Sequence, residues 1–434
     1  MGRADSIHPR AGGRTAPVRT IAALAAALTI VALVAVLALP TGASASAPFT
    51  PQCSDPFPAS RTAGNPLMLS PAPPASNPLA GAQFFVDGPA HGLAAGAIAQ
   101  LLGLDTSTTL GSPLPSFPDS ESWATFSQYV QSHLASVSPA VQHQITELEK
   151  IAAEPETNRI SRYSAGGTPG GIYAQMQKLF CHNFTADPGS IPVFTTYFLH
   201  ATLGGCPTAQ AISAYRPTFE SQIDAIAKAT GHRPVVYLLE LDAIGSSSCI
   251  AKSPAALAEW ESLLSFEATT LGALPHTVVY LEGGYSDANS PAYAAKILNA
   301  SGIQHVAGFW TNDTHLNWTS KEISYGDAIS KLTHGAHFVI NTDDNGNGPL
   351  LNPNPAKQGI ESLCNPPNRA LGPQPTTATG QRLVDAYLWT NTPGTSDGSC
   401  NGGPPSGSFW VARAVAMAQA ANAQLGPGGP SRPY

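Results

Sequence analysis

The chain has 434 residues, 43% of them hydrophobic, enough to bury one large core or two ordinary ones. Only 11% are charged, alongside 40 Gly and 40 Pro, which describes a loop-rich globular protein rather than a disordered one. The formal charge of −7 argues against nucleic acid and against an anionic membrane surface as partners.

At the N-terminus, Arg3, Arg10, Arg14 and Arg19 precede an apolar run from Ile21 to Leu39, then Pro40 and the small residues TGASASA. That order is a secretory signal with cleavage after Ala45 or Ala47, and the run is also just long enough to span a bilayer. Residues 1–47 therefore read as a signal peptide or an N-terminal anchor, and the body of the protein lies outside the cytosol. Residues 48–76 are rich in Pro, Ser and Ala and read as an extended tether. Six cysteines (Cys53, Cys181, Cys206, Cys249, Cys364 and Cys400) in an exported chain imply disulfides. No C-x-x-C pair and no H-E-x-x-H occurs, so no metal and no cofactor is expected. The chain is expected to act as a monomer.

From Asn77 onward, short β-rich runs alternate with helical stretches. The expected strands are Gln83–Val86, Val193–Phe198, Val235–Leu239, Thr277–Leu281, His305–Trp310, His337–Asn341 and Ala386–Trp389. Helix-like segments between them include Glu121–Leu134, Pro139–Ala153, Thr208–Thr230 (broken at Pro217) and Ser253–Leu271. Apolar strands alternating with helices imply a parallel sheet covered by helices. About seven such units without a Gly-rich dinucleotide fingerprint favour an α/β barrel over a doubly wound sheet. Residues 77–425 are assigned to this barrel and 426–434 to a disordered tail.

Polar residues gather at the strand ends: Tyr197 and His200, Glu240 and Asp242, Glu282, Asn312 and Asp313, Asn341 to Asn345, and Asp397. Strand ends feed turns, and turns favour Asp and Asn, so for Asp313, Asp343 and Asp344 a plain turn role stands beside a functional one. Side chains two apart on a strand share a face, so Glu240 and Asp242 are expected to point the same way. Carboxylates delivered by separate strand ends are what acid/base chemistry on a β/α barrel requires.

Several longer motifs occur in order. LLELDAIG is similar to an E-P-D strand, and YLEGGYSDA to Y-L-D-A-G-H-S. GFWTNDTHLN is similar to G-F-x-x-N-x-S-N, and HFVINTDDNGNGP to H-F-V-I-D-T-S-R-N-G-N-G-P. CNPPNRALGPQPT and DAYLWTNTPGTSDG resemble C-N-P-P-G-R-x-L-G-x-x-P-T and D-A-x-x-W-x-K-x-P-G-E-S-D-G. Together with NPLAGAQFFV and IAAEPETNRI, they make most of residues 77–422 resemble glycoside hydrolase family 6, the inverting cellulases. The resemblance implies a distorted (β/α) barrel of about seven parallel strands and a polysaccharide substrate, a cellulose-like β-1,4-glucan. It implies the bridges Cys206–Cys249 and Cys364–Cys400, leaving Cys53 to pair with Cys181 and tie the tether to the barrel.

The resemblance also implies roles. Asp242 is the candidate general acid, favoured in its protonated form by a neighbouring carboxylate. Asp397 is the candidate base, or part of a network that holds the attacking water. Tyr197 matches a tyrosine that presses on the sugar ring. Trp389 and Trp310 offer stacking faces or sit in the core, while Asn312, Asn345, Glu282 and Asn391 are candidate substrate-binding residues. The chain departs from the family pattern as well. HATLGGC lacks the Arg and Asp that precede the cysteine of P-x-R-D-C, and Asn391 and Thr395 stand at a Lys and a Glu. Asn341 and Asp344 stand at the Asp and Arg of D-T-S-R, and Tyr285 stands at a His. On this reading the site has lost its cations. The leading expectation is a secreted, inverting, endo-acting glycosidase. The alternatives are a catalytically impaired polysaccharide-binding barrel of the cell envelope and an envelope protein whose barrel serves mainly as scaffold. The short spans inside the two bridges suggest an open cleft.

Overall fold

The structure is a computed structural model and describes residues 76–104, 122–349 and 364–425. The N-terminal signal or anchor, nearly all of the tether, Cys53 and the C-terminal tail lie outside the described residues. Seven strands form one sheet in sequence order, every neighbouring pair parallel. They are β1 (Asn158–Ser161), β2 (Val193–Tyr197), β3 (Val235–Leu239), β4 (Thr277–Glu282), β5 (Gly308–Thr311), β6 (His337–Asn341) and β7 (Val384–Leu388).

Strands β3, β4 and β6 are buried along their whole length, as expected of parallel strands covered on both faces. Alternation sorts their side chains into two cores. Val235, Tyr237, Leu239, Val279, Leu281, Phe309 and Phe338 pack outward against the helices. Val236, Leu238, Val278, Tyr280, Trp310 and Val339 fill the interior. The edge strands do not pair with one another; Thr157 Oγ1 donates to the Trp389 carbonyl at 2.9 Å across the gap between them.

Helices α1 (Leu93–Leu101), α2 (Trp123–His133), α3 (Pro139–Ala152) and α4 (Pro169–Ala186) come before β2; the five-residue α5 (Leu199–Leu203) and α6 (Ala209–Thr230) follow it. Then come α7 (Pro254–Gly272), α8 (Pro291–Ala300), α9 (Thr319–Leu332) and α10 (Val411–Leu425). Four of them open on a Ser or Thr cap followed by Pro: Ser138, Thr168, Ser253 and Ser290 each accept a backbone N–H of the first turn. The cap side chain satisfies a free amide, and Pro at the first helical position loses no hydrogen bond.

Four strand and helix expectations need correction. Gln83–Val86 is no strand; Phe84 makes a single bridge to Ile191. The seventh strand is instead β1, whose NRIS sequence has no apolar run and is held in the sheet by its pairing to β2. β5 begins at Gly308, because Ile303–His305 forms a 3₁₀ turn. Pro217 does not break α6: burial of Ile212, Phe219, Ile223 and Ile226 along one face outweighs a cost of about 3 kcal/mol.

Candidate active site

The C-terminal strand ends surround a cleft of about 310 Å³ lined by Arg159, Tyr197, Asp242, Asp313, Thr314, Asp343, Asp344, Asn391, Asp397 and Arg413, among others. β3 stops at Leu239, and both Glu240 (φ 52°) and Asp242 (φ 66°) take up the left-handed conformation. That double turn ends the strand alternation, so the two carboxylates do not share a face. Glu240 is fully buried and accepts the backbone N–H groups of Phe198 and Leu199 at 2.8–3.1 Å. Asp242 alone reaches the cleft.

The Asp242 carboxyl is held on one side only. Its Oδ1 accepts hydrogen bonds from the Tyr285 hydroxyl and, at 3.1 Å, from Thr314 Oγ1. Its backbone N–H donates to Asp313 Oδ2 at 2.6 Å. Oδ2 lies 3.7 Å from His200 Nδ1. Burial, reinforced by the Asp242 charge, pushes Asp313 up to about 7. Tyr285 stacks on His315, with ring centroids 3.7 Å apart and planes 5° from parallel. Burial opposes a charge on His315, yet Asp287 at 2.9 Å holds its pKa above the ordinary value. A Cβ on Gly245 would lie 2.2 Å from the Tyr285 ring, so only glycine lets the ring sit there.

Across the cleft, Asp343 accepts from Asn341 Nδ2 (3.0 Å), from the N–H of Asp344 (2.8 Å) and from the N–H of Asn391 (3.1 Å). Burial and the neighbouring Asp344 push its pKa well up. Burial also raises Asp344, against the pull of Arg413, whose Nη2 is 3.8 Å away. Asp397 is exposed, and its Oδ2 accepts the Asn365 N–H at 2.7 Å. From β1, the Arg159 side chain projects into the cleft, donates to Asn391 Oδ1 and lies 5.8 Å from the Tyr197 ring centroid. Burial and the Asp242 charge push the Tyr197 phenol up to about 12, so it stays a hydrogen-bond donor.

This site sits in a chain that matches the family model described as glycosyl hydrolases family 6 over residues 126–421. The chain belongs to glycosyl hydrolase family 6. It is 32% identical to Endoglucanase 1 of Streptomyces sp. (strain KSM-9), covering 62% of this chain and 70% of that one. It is 30% identical to Endoglucanase A of Cellulomonas fimi over 63% of this chain and 56% of that protein. Among solved structures, the endoglucanase Cel6 of Mycobacterium tuberculosis, in complex with methyl-cellobiosyl-4-deoxy-4-thio-β-D-cellobioside, superposes with a TM-score of 0.59 at 30% identity. That match covers 80% of this chain and 100% of that one. The seven parallel strands and these neighbours agree on the expected distorted (β/α) barrel.

Not all the sequence-derived candidates in this family 6 chain meet in the cleft. Asp242, Asp397, Tyr197 and Asn391 line it. Glu282 is buried behind it and accepts from the N–H groups of Ile244, Gly245 and Gly284, fixing the loop that carries Asp242. Asn312 and Asn341 exchange side chain-to-carbonyl hydrogen bonds at 3.0 Å, and Asn345 bonds Asn317 at 2.8 Å; Asn312 and Asn345, expected to read sugar hydroxyls, are buried and tie loops together instead. Trp310 lies in the barrel interior, its indole N–H donating to the Leu239 carbonyl at 3.1 Å. Trp389 packs with α1, α2, α3 and α10 and donates to the Pro373 carbonyl at 3.0 Å. Neither faces the cleft.

Asn391 and Asp344 do stand where the family pattern has cations, but the cleft keeps positive charge from elsewhere: Arg159, within the IAAEPETNRI segment, and Arg413 both line it. Arg159 was hidden by the short, half-polar β1, and Arg413 by its place in a helix. Cys206–Cys249 and Cys364–Cys400 are bridged. Among the described residues no cysteine is free, and the expected partner of Cys181, Cys53, lies outside them.

Proposed function

We propose that this chain cleaves internal linkages of a β-1,4-glucan with inversion, using Asp242 as general acid. The carrying observation is the asymmetry at Asp242. Two hydroxyl donors occupy Oδ1, so the transferable proton resides on Oδ2, the oxygen without a hydrogen-bonded donor. In the reaction, the Oδ2–H bond breaks as the glycosidic oxygen takes the proton, and positive charge develops at the anomeric carbon. Water then attacks from the opposite face, with a second carboxylate taking its proton across about 6.5–9.5 Å. Asp397 suits that role better than Asp343. It is exposed and hydrogen-bonded to an N–H, whereas burial beside Asp344 keeps a proton on Asp343. Tyr197 lines the cleft beside them and supplies the surface against which the reacting sugar ring is pressed.

Export through residues 1–47, on a tether ending near residue 76, is consistent with the bridged cysteines. An open cleft and endo attack fit the short spans of the two bridges, which join residues 43 and 36 apart in sequence. One observation favours a second reading, a polysaccharide-binding barrel of the cell envelope. The segment from His200 to Cys206 carries neither the Arg nor the Asp of the family pattern.

Reducing-end release from carboxymethyl cellulose, mixed-linkage glucan, xylan and mannan decides between them. The expected result is activity on a β-glucan, falling about 10³-fold in Asp242→Ala, with a rapid loss of viscosity. Release of disaccharide alone from chain ends would overturn the endo assignment. Folded wild-type protein that is retained on the polymers but releases nothing would establish the second reading.

A further inference from the structure

We propose that His200 returns the proton to Asp242 after each turnover, which deepens the functional reading above and rests on it. An acid that has given its proton to a leaving group must regain one before the next cycle, and the route is set by what faces its free oxygen. At Asp242 that oxygen is Oδ2, because Tyr285 and Thr314 already occupy Oδ1. His200 Nδ1 stands 3.7 Å from Oδ2, about half an ångström beyond hydrogen-bond reach. Among the described residues, no Lys, Arg or other His lies within 4 Å of this carboxylate.

The histidine is placed for exchange in both directions. Its side chain is 26% exposed, so it meets bulk water, while Asp242 is 15% exposed at the cleft wall. The Tyr197 hydroxyl lies 3.2 Å from the same Nδ1 and steadies the ring. His200 sits in the five-residue α5, directly after the Phe198 and Leu199 amides that the buried Glu240 carboxyl holds. The other charged groups facing this pair are Arg159, over the Tyr197 ring from β1, and Asp313, bonded to the Asp242 N–H from the β5 end.

In the proposed step, the Nδ1–H bond of the imidazolium breaks and an O–H bond forms at Oδ2. The neutral imidazole then takes a proton from water, and the hydroxide left behind is neutralised by the proton that the base carboxyl gained in the hydrolysis step and releases to solvent, so charge and atoms balance. His200 acts through Asp242 and does not touch the substrate.

His200→Gln and His200→Ala separate proton return from mere support of Tyr197. Glutamine keeps a hydrogen-bonding group near the phenol but cannot carry the proton. Both variants are expected to lose about 10-fold in kcat at unchanged KM, and free imidazole should restore the alanine variant in proportion to its concentration. Asp242→Ala should stay inactive in imidazole. Wild-type kcat and pH profile in His200→Gln, or no response of His200→Ala to imidazole while wild type is active, would overturn the proposal alone. A folded wild-type chain silent on every polymer would overturn the hydrolase reading and this one with it.

Discussion

The rim built by β3, β4 and β5 and the rim built by β6 and β7 both bring carboxyl groups to the cleft, but they treat them differently. At the first rim, Asp242 emerges from a framework of Glu240, Glu282, Asp313 and Tyr285 that holds its loop, with Asp313 reaching the cleft wall beside it. At the second rim, burial and the neighbouring Asp344 raise Asp343, desolvation raises the half-buried Asp344 against the pull of Arg413, and Asp397 stands exposed on a turn. A general acid must keep a proton on one chosen atom, which calls for a rigid, over-determined setting. A general base must stand ionised to take a proton from the attacking water, which solvent exposure favours. The two rims have those opposite characters.

The largest test of this contrast after Asp242 itself is Asp397→Asn. If the second rim supplies the base through Asp397, kcat on the responsive β-glucan should fall about 10²-fold with little change in KM. An Asp343→Asn variant that falls further than Asp397→Asn would move the base to the buried Asp343 and erase the distinction. Next in size is Tyr285→Phe. Losing the hydroxyl frees Oδ1 to compete for the proton, and a hydrogen bond to a charged group is worth about 1.5–3 kcal/mol. The expected fall in kcat is about 10-fold, with the stacked ring over His315 kept in place; unchanged kcat would mean that Thr314 alone fixes the carboxyl.

The same contrast explains how much was legible in the sequence. The barrel and most of its strands were readable from apolar runs and turns, whereas the two bridges and the cleft positions of Asp242 and Asp397 came from the family resemblance of longer motifs. What was not readable depends on backbone turns and on distant packing. Left-handed conformations at Glu240 and Asp242, either side of Leu241, send the two carboxylates apart, and no residue type at those positions announces that. Asn312 and Asn345 look like sugar-binding amides until the loops they tie are seen. Arg159 reaches the cleft from an edge strand of four residues that pairs only with β2, and Arg413 from a C-terminal helix.

The buried framework of the first rim also has a pH signature. Burial pushes Glu240 up to about 7 against the two amides it accepts, so the folded chain binds a proton that the unfolded chain, near 4.5, has released. The stability Glu240 contributes is complete below about pH 4.5 and is lost as pH rises through about 7. Asp313, also raised to about 7, acts in the same direction. Unfolding free energy should therefore decline between these limits by at most about 1.4 kcal/mol per pH unit for each such group. Denaturant titrations of Glu240→Gln across this range should show a shallower decline than wild type. An equal slope would mean that the Glu240 carboxyl stays ionised on its amides.

The smallest effect on catalysis is expected outside both rims, at Trp389. Its indole is 2% exposed, donates to the Pro373 carbonyl and packs among the N-terminal helices, so it has no face to offer a sugar ring. Trp389→Phe keeps an aromatic in that core and removes the N–H and part of the volume. Stability should fall by about 1–2 kcal/mol, from one lost hydrogen bond and a small cavity, since Thr342 Oγ1 still donates to the Pro373 carbonyl at 2.7 Å. KM for the polymer should not move. A rise in KM at unchanged stability would place the indole against substrate and extend the binding surface past the β7 turn, whereas the expected pattern confines sugar contacts to the polar walls that Arg159, Tyr197 and Asn391 provide.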